Sequence, residues 1–173
     1  MPEFSEHIGV LSKEQCDWIK SLCTEFKVSE ITYDNNDNSR NINQYFRNSK
    51  TCMVELTDDS REKLLSMVRF IGVESLPIKR EIQLLEYSEG GFFKRHKDGP
   101  KRYKTLIIQL SDENDYTGGE LYVEDQPTSK KQGSLIIFDS NTYHQLHEVT
   151  SGKRYVLVVW LLKEHFENPK TVI

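Results

Sequence analysis

A histidine and an aspartate separated by one residue, His96 and Asp98, are the first candidates for chemistry in this sequence. Side chains two residues apart on an extended backbone point to the same side, so both can reach one metal ion. An imidazole nitrogen and a carboxylate oxygen suit Fe(II), Mn(II) or Zn(II). Taken alone, such a pair is more often a surface pair at the end of a strand, so its interpretation depends on further ligands.

A second candidate group lies downstream, where His144 is followed ten residues later by Arg154. Two histidines and one carboxylate on one face of an iron ion leave three coordination positions open, which is the facial triad of non-haem Fe(II) oxygenases. An enzyme that activates O2 needs those positions for a chelating cosubstrate and for O2. His147 competes with His144, because positions three apart on an extended strand face opposite sides and only one can point inward.

The motifs around these residues resemble the iron(II)- and 2-oxoglutarate-dependent dioxygenases, in particular their prolyl 4-hydroxylase-like branch. The resemblance selects His144 over His147 as the third ligand, because the family places a glycine and then a cation at the spacing of Gly152 and Arg154. Leu146 stands where the family pattern prefers Val. The matching pieces follow the family's order across about residues 80–162 and are Tyr87 to Asp98, Gly118 to Leu121, Gly133 to Phe138 and His144 to Arg154.

The resemblance implies a role for each of these residues. His96, Asp98 and His144 would bind Fe(II). Arg154 would pair with the distal carboxylate of 2-oxoglutarate, and Tyr87 would hydrogen-bond the same carboxylate. The residues themselves support the assignment of Arg154, since a cation at the mouth of a strand that is apolar on both faces is costly unless it is paired. A carboxylate pairs with a guanidinium through two parallel hydrogen bonds.

Arg47 and Ser49 form an R-x-S piece just before a predicted strand at residues 52–56. A similar piece borders the peptide groove of prolyl 4-hydroxylases, so the resemblance implies that both residues lie on the substrate side. The implied function is hydroxylation of prolyl residues in a peptide or protein. The implied cofactor is Fe(II), with 2-oxoglutarate and O2 as cosubstrates and ascorbate as a candidate reductant.

Two alternative functions stay open on the sequence. The first is hydroxylation of a small molecule, either a free amino acid or a nucleobase. The second is a cupin-like module that binds a metal without turnover. Arg154 argues against the second alternative, because a site that only binds a metal needs no anchor for an anion.

The pattern of apolar residues predicts an α+β fold that is mainly β. A helix is predicted over residues 12–26, where Ser12 and Gln15 form a capping box, and a second from Asp59 to about Ile71, capped by Asp59 with Glu62. Many short strands after initial helices favour a closed or sandwiched β core. The resemblance implies a double-stranded β-helix (jelly roll), with the helices packed on one sheet. The predicted strands are 82–87, 104–110, 120–124, 134–138, 142–146 and 154–162.

Length and composition bound the remaining possibilities. The 173 residues predict one domain, with a helical part at about 1–79, the β core at about 80–162 and a tail at 163–173. The net charge of −4 argues against general nucleic-acid binding. Neither a signal peptide nor a membrane span is predicted, so we expect a soluble intracellular protein, cytoplasmic by default.

Two further features of the sequence lead to expectations. The three cysteines have no C-x-x-C spacing, which predicts neither a disulfide framework nor a zinc site. Cys16 and Cys23 are expected to pack on the apolar face of the first helix. The polar segment 34–44 is either a mobile loop or a lid over substrate. Substrate specificity is expected to lie in the loops at 34–50 and 99–103.

Overall fold

A computed structural model describes residues 4–32 and 40–166 of the protein. Antiparallel strands dominate these residues, and every strand pair among them is antiparallel. The helices are α1 (Lys13–Lys20) and α2 (Asp58–Val68), with short 3-10 helices at Arg69–Ile71, Lys79–Glu81 and Lys163–His165. The strands are β1 (Phe4–His7), β2 (Lys27–Val28), β3 (Ile31–Thr32), β4 (Arg40–Asn41), β5 (Arg47–Asn48), β6 (Lys50–Met53), β7 (Ile82–Tyr87), β8 (Phe92–His96), β9 (Lys104–Gln109), β10 (Tyr116–Gly118), β11 (Leu121–Val123), β12 (Gln126–Pro127), β13 (Leu135–Asp139), β14 (His144–Leu146), β15 (Val149–Gly152) and β16 (Arg154–Leu161).

Two sheets form the body of the fold. The larger sheet has seven strands in the order β1-β13-β9-β16-β7-β6-β2, and the smaller has five in the order β12-β11-β14-β8-β5. Two-stranded ribbons, β10-β15 and β3-β4, complete the described strands. Strands β1 and β2 come from the part of the chain that was expected to be mainly helical, and they join the same sheet as the core strands.

The two faces of the larger sheet bury different sets of residues. Strand β16 is an example, because its side chains point alternately to one face and to the other. Leu157, Val159 and Leu161 belong to the apolar cluster that includes the helices. Val156, Val158 and Trp160 belong to the cluster shared with the smaller sheet. Because successive side chains on a strand point to opposite faces, Arg154 shares the second face, which faces the space between the sheets.

The helices pack on the outer face of the larger sheet, as the sequence predicted. Cys16 and Ile19 of α1 and Leu64 of α2 are fully buried there. Helix α1 starts with the predicted capping box of Ser12 and Gln15 but ends well before residue 26. Its C-cap, Ser21, donates its hydroxyl to the carbonyl of Trp18 at 2.6 Å. A side chain that bonds back to the helix backbone in this way competes with continuation of the helix.

The start of α2 differs from its prediction. The N-cap is Thr57, one residue before the helix begins at Asp58, and it forms a capping box with Ser60. The expected pair, Asp59 with Glu62, does not cap this helix. A threonine hydroxyl is also a favoured acceptor at the N-cap. The acidic Asp58 and Asp59 then occupy the first turn, where their negative charges interact favourably with the positive end of the helix dipole.

All six predicted strands are present, and β7 has the predicted bounds. The predicted strand at 52–56 lies earlier, at Lys50–Met53. Strands Phe4–His7, Tyr116–Gly118 and Val149–Gly152 were not predicted. The last two are short, contain glycine and are largely polar, so their pairing with each other, rather than their own apolar pattern, defines them.

The expectation about the cysteines was wrong in one respect. Cys23 and Cys52 are joined by a disulfide, which links the segment after α1 to strand β6. They lie 29 residues apart in sequence, and this spacing did not predict the pairing. Cys16 is a free, buried thiol, as packing on the helix predicted.

Two other expectations concern segments that the structure covers only in part. Most of the polar segment 34–44 lies outside the described residues, so the choice between a loop and a lid stays a prediction. Within the part of the chain that is described, no helix has the length and apolar character needed to cross a membrane.

Packing of α2 on the sheet gives the first testable prediction. Replacing the fully buried Leu64 by Ala leaves a cavity, and we expect the free energy of unfolding to fall by about 2–5 kcal/mol. Ser66→Ala, on the exposed face of the same helix, should change it by less than about 0.5 kcal/mol. Denaturant titrations followed by circular dichroism measure both values. Equal stability of the two variants would contradict the packing described here.

Candidate metal centre and the buried arginine beside it

Pairing of β8 with β14 brings the two predicted histidine ligands together. His96 ends β8 and lies directly opposite His144, the first residue of β14. Asp98 follows two residues after His96, and its backbone N–H donates to the carbonyl of Ser140 at 2.9 Å. One potential ligand atom from each of His96, Asp98 and His144 lies within 4.8 Å of the others. The described residues therefore contain a three-residue cluster that could hold one metal ion.

Hydrogen bonds fix which imidazole nitrogens face the centre. The Nδ1 atoms of His96 and His144 lie 2.7 and 2.9 Å from the carbonyl oxygens of Lys94 and Thr142. A carbonyl only accepts, so each Nδ1 carries the proton and donates. The Nε2 atoms lie 3.5 and 3.4 Å from the Asp98 carboxylate oxygens. Each Nε2 is thus left as the atom with a free lone pair, which is the arrangement that metal-binding histidines adopt.

The charges of the cluster also fit a divalent cation. Burial by itself would raise the pKa of Asp98, but His144 and His96 hold that pKa well below its usual range. Burial lowers the pKa of His96. Burial also acts to lower the pKa of His144, but the facing Asp98 carboxylate outweighs it and raises that pKa. Thr105 donates its hydroxyl to Asp98 Oδ2 at 2.6 Å, so the carboxylate is held as an oriented anion.

A cavity opens beside the cluster, between the two sheets. The three candidate ligands line this cavity, and so do Tyr87, Arg154 and Arg47. The other lining residues are mostly apolar and are Leu85, Phe93, Thr105, Ile107, Leu121, Gln145, Leu146, Val156, Val158 and Trp160. An apolar pocket with a few convergent polar groups is typical of a small-molecule site.

Arg154 is the most buried cation at the cavity, with 2% of its surface exposed. Among the described residues, its Nε and Nη2 have no hydrogen-bond partner. Buried guanidinium groups are expensive unless they are paired. A bound carboxylate would supply the hydrogen-bond acceptors that these two nitrogens of Arg154 lack within the described chain. Tyr87 lies opposite Arg154 in the β7-β16 register, and the Arg154 Cζ lies 5.6 Å from its ring centroid.

Of the two residues of the R-x-S piece, Arg47 lines the cavity and Ser49 does not. Arg47 reaches the cavity and lies over the ring of Phe93, 4.5 Å from its centroid. Its Nε donates to Ser49 Oγ at 3.0 Å, and its Nη1 donates to the carbonyl of Glu30 at 3.0 Å. Ser49 is buried but does not line this cavity. Ser49 therefore orients Arg47 from behind.

His147 lies outside the three-residue cluster. It is exposed and stacks on Tyr122, with ring centroids 4.4 Å apart. On β14 the inward positions are His144 and Leu146, which are both buried. Alternation along the strand therefore decides between the two histidines.

Several site residues were not foreseen from the sequence. Thr105 and Phe93 contact the ligands directly, the latter by stacking on His96 with ring centroids 3.6 Å apart. Phe93 lies in the motif from Tyr87 to Asp98, whereas Thr105 carried no signal, because it looks like an ordinary strand residue. The position of Trp160 could have been predicted, because it lies six residues after Arg154. Side chains alternate between the two faces along a strand, so both residues lie on one face.

The glycine pair 118–119 has a steric explanation. A Cβ on Gly118 would lie 2.2 Å from the carbonyl oxygen of Glu148. A Cβ on Gly119 would lie 2.9 Å from the side chain of Val149 and 3.1 Å from the ring of Tyr116. Both glycines also have φ angles near +70°, at 69° and 66°. They serve close packing and turn geometry.

Comparisons with known proteins agree with this site. The profile of the 2OG-Fe(II) oxygenase superfamily matches residues 82–162. A PKHD-type hydroxylase of Prochlorococcus marinus is 31% identical over 116 residues, which cover 60% of this chain and 52% of that protein. The chain thus matches about half the length of that relative.

Two solved structures share the fold. A prolyl-4-hydroxylase from Pseudomonas putida matches with a TM-score of 0.70 and 17% identity, over 92% of each chain. A prolyl hydroxylase from Trichoplax adhaerens, in complex with a hypoxia inducible factor oxygen degradation domain peptide fragment, matches with a TM-score of 0.66 and 17% identity, over 94% of this chain and 84% of that one. With the profile match, the ordered motifs and the three-residue cluster, these likenesses lead to one conclusion: residues 82–162 of the chain are similar to the 2OG-Fe(II) oxygenase superfamily.

Proposed function

We propose that the protein is an Fe(II)- and 2-oxoglutarate-dependent dioxygenase that hydroxylates prolyl residues in a peptide or protein. The observation that carries this proposal is the buried Arg154, with two unpaired nitrogens, in the same cavity as the three candidate ligands. A module that only binds a metal gains nothing from a buried, unpaired cation. An oxygenase that uses a dicarboxylate needs a metal centre and an anion anchor in one cavity.

The proposal gives each residue of the cavity a task. His96, Asp98 and His144 hold Fe(II), and Arg154 and Tyr87 bind the distal carboxylate of 2-oxoglutarate. With O2, the bound iron supplies oxidative decarboxylation of 2-oxoglutarate to succinate and CO2, coupled to hydroxylation of the substrate. The apolar walls keep water away from the reacting groups. Ascorbate acts as the reductant that keeps the iron in its Fe(II) state.

A peptide or protein substrate is supported by two observations. The structural neighbours are prolyl hydroxylases, and one of them is in complex with a peptide. Arg47 reaches the cavity from strand β5, at the edge of the smaller sheet. We assign Arg47 to the substrate side of the cavity, with Ser49 as the group that orients it.

We also propose that residues 1–173 form one domain with a double-stranded β-helix core. The facing seven-stranded and five-stranded antiparallel sheets support this architecture. The cluster of buried residues between the sheets draws on strands from both, which supports a single cooperative unit. One unfolding transition seen at the same denaturant concentration by circular dichroism and by fluorescence is the expected result.

The second prediction concerns the metal ligands. Replacing His96, Asp98 or His144 by Ala removes one of three ligands, so we expect each variant to lose bound iron and iron-dependent turnover. His147→Ala is the matched control, because this histidine is exposed and lies outside the cluster, and it should retain both. Metal content by mass spectrometry after anaerobic loading measures the first effect. Normal iron content in His144→Ala, with loss in His147→Ala, would mean that the third ligand was misassigned.

The third prediction concerns Arg154. Arg154→Met leaves the distal carboxylate unpaired in a buried site, a change that typically costs about 2–5 kcal/mol. We therefore expect 2-oxoglutarate to bind roughly thirtyfold to several-thousandfold more weakly. Arg154→Lys keeps the charge but loses the forked geometry and should fall between wild type and Arg154→Met. Anaerobic titration of the iron-loaded variants measures affinity, and iron content should stay constant. Equal affinity of wild type and Arg154→Met would place the anchor elsewhere.

Turnover itself tests the proposed function. Incubated with Fe(II), ascorbate, O2 and 2-oxoglutarate, the protein should form succinate, slowly alone and faster with proline-containing peptides. Mass spectrometry should show a peptide that has gained one oxygen atom at proline. Oxygen transfer to free amino acids or nucleobases, with none to peptides, would favour the small-molecule alternative. Absence of succinate under every condition would favour the metal-binding module.

A further inference from the structure

Among the described residues, every buried side-chain nitrogen or oxygen that lacks a hydrogen-bond partner belongs to Tyr116, Arg154 or Trp160. Such atoms are rare in folded proteins and call for an explanation, often a group that binds there. Two of the three residues, Tyr116 and Arg154, lie near each other, because both border the space that a side chain at Gly119 would occupy. We propose that Tyr116 completes the carboxylate site of Arg154. The inference rests on the proposed function, because it assigns this carboxylate to 2-oxoglutarate.

Strand pairing brings Tyr116 next to Arg154. Tyr116 begins β10 and pairs with Gly152 of β15, two residues before Arg154. The tyrosine is 3% exposed and belongs to the buried cluster between the sheets. Lys130 holds it from one side, with its Nζ 4.5 Å from the ring centroid and donating to the carbonyl of Gly118 at 2.7 Å. The ring therefore has a defined position beside the guanidinium.

Gly119 provides the space that the two residues share. A Cβ at this position would lie 3.1 Å from Tyr116 Cε2 and 3.4 Å from Arg154 Cδ. The stem of Arg154 and the ring of Tyr116 thus approach the same point on the backbone from two strands. Any larger residue at position 119 would push them apart.

The hydroxyl of Tyr116 remains a donor at neutral pH. Burial raises the pKa of Tyr116, and the Arg154 guanidinium acts in the opposite direction without reversing the shift. A carboxylate has two oxygens with about four lone-pair positions. It can accept two N–H groups from the guanidinium and still accept one O–H group. Tyr116 and Arg154 together match that capacity, and a bound carboxylate would satisfy atoms that otherwise stay unpaired.

Tyr87 is less free to act as this donor than its position suggests. Its hydroxyl is not among the buried polar atoms that lack a hydrogen-bond partner. The Tyr116 hydroxyl, by contrast, is buried and has no hydrogen-bond partner among the described residues. We therefore assign to Tyr116 the larger share of the hydroxyl contribution to carboxylate binding.

The test compares single hydroxyl deletions in the full-length, Fe(II)-loaded protein under anaerobic conditions. Isothermal titration with 2-oxoglutarate should show Tyr116→Phe binding on the order of tenfold to a hundredfold more weakly, as expected for a hydrogen bond to a charged group. Tyr87→Phe should weaken binding less than Tyr116→Phe. Tyr155→Phe is the matched control, because its hydroxyl already donates to Glu86 at 2.8 Å and its ring packs against the apolar cluster on the outer face of the larger sheet. It should bind like wild type.

A second ligand separates recognition of the carboxylate from general damage to the site. 2-Oxopentanoate keeps the 2-oxo acid but lacks the distal carboxylate, so wild type and Tyr116→Phe should bind it equally. Equal loss of affinity for both ligands would overturn the proposal, since it would mean a structural defect. Tyr116→Phe that binds 2-oxoglutarate like wild type would also overturn it. Failure of the wild-type protein to bind 2-oxoglutarate would instead refute the proposed function.

Discussion

Two ionised groups, the Asp98 carboxylate and the Arg154 guanidinium, lie in an apolar space between two sheets, and neither is exposed enough for water to stabilise it. Taking such a group out of water costs several kcal/mol unless a partner compensates for the loss. Asp98 has two imidazoles and the Thr105 hydroxyl as partners. Two nitrogens of Arg154 have none within the described chain. The need to compensate these two charges explains most features of the cavity, and it is what makes a metal and an anionic ligand fit there.

Antiparallel pairing is the means by which the fold meets this need. His96 and His144 face each other because β8 and β14 pair at that register, and Arg154 faces inward because β16 alternates between the two faces of the larger sheet. The outer face of the same sheet carries the helices and a second apolar cluster. The strands that hold the site are thus supported from behind by packing, which keeps the side chains in place without depending on the ligand.

The comparisons show which part of this arrangement is general. Structures that share only 17% identity with this chain still superpose over nearly all of it. A fold can tolerate such sequence change because alternating apolar positions and turn geometry, rather than particular residues, define the sheets. The polar groups in the cavity and the exposed rim then decide what the site binds. In this protein the cavity contains Arg47, Tyr87 and Arg154, and these residues, with Tyr116 behind them, give it its chemical character.

The sequence by itself pointed to the three clustered candidate ligands, to Arg154 and to the mainly β character of the fold. Each depends on local spacing: an H-x-D triplet, a histidine ten residues before an arginine, and apolar residues that alternate along strands. Only the tertiary structure decided the rest. The disulfide of Cys23 with Cys52 and the meeting of Tyr116 with Arg154 both join residues from different strands or segments. Contacts of this kind depend on strand register and sheet order, which long-range packing sets and which no local pattern records.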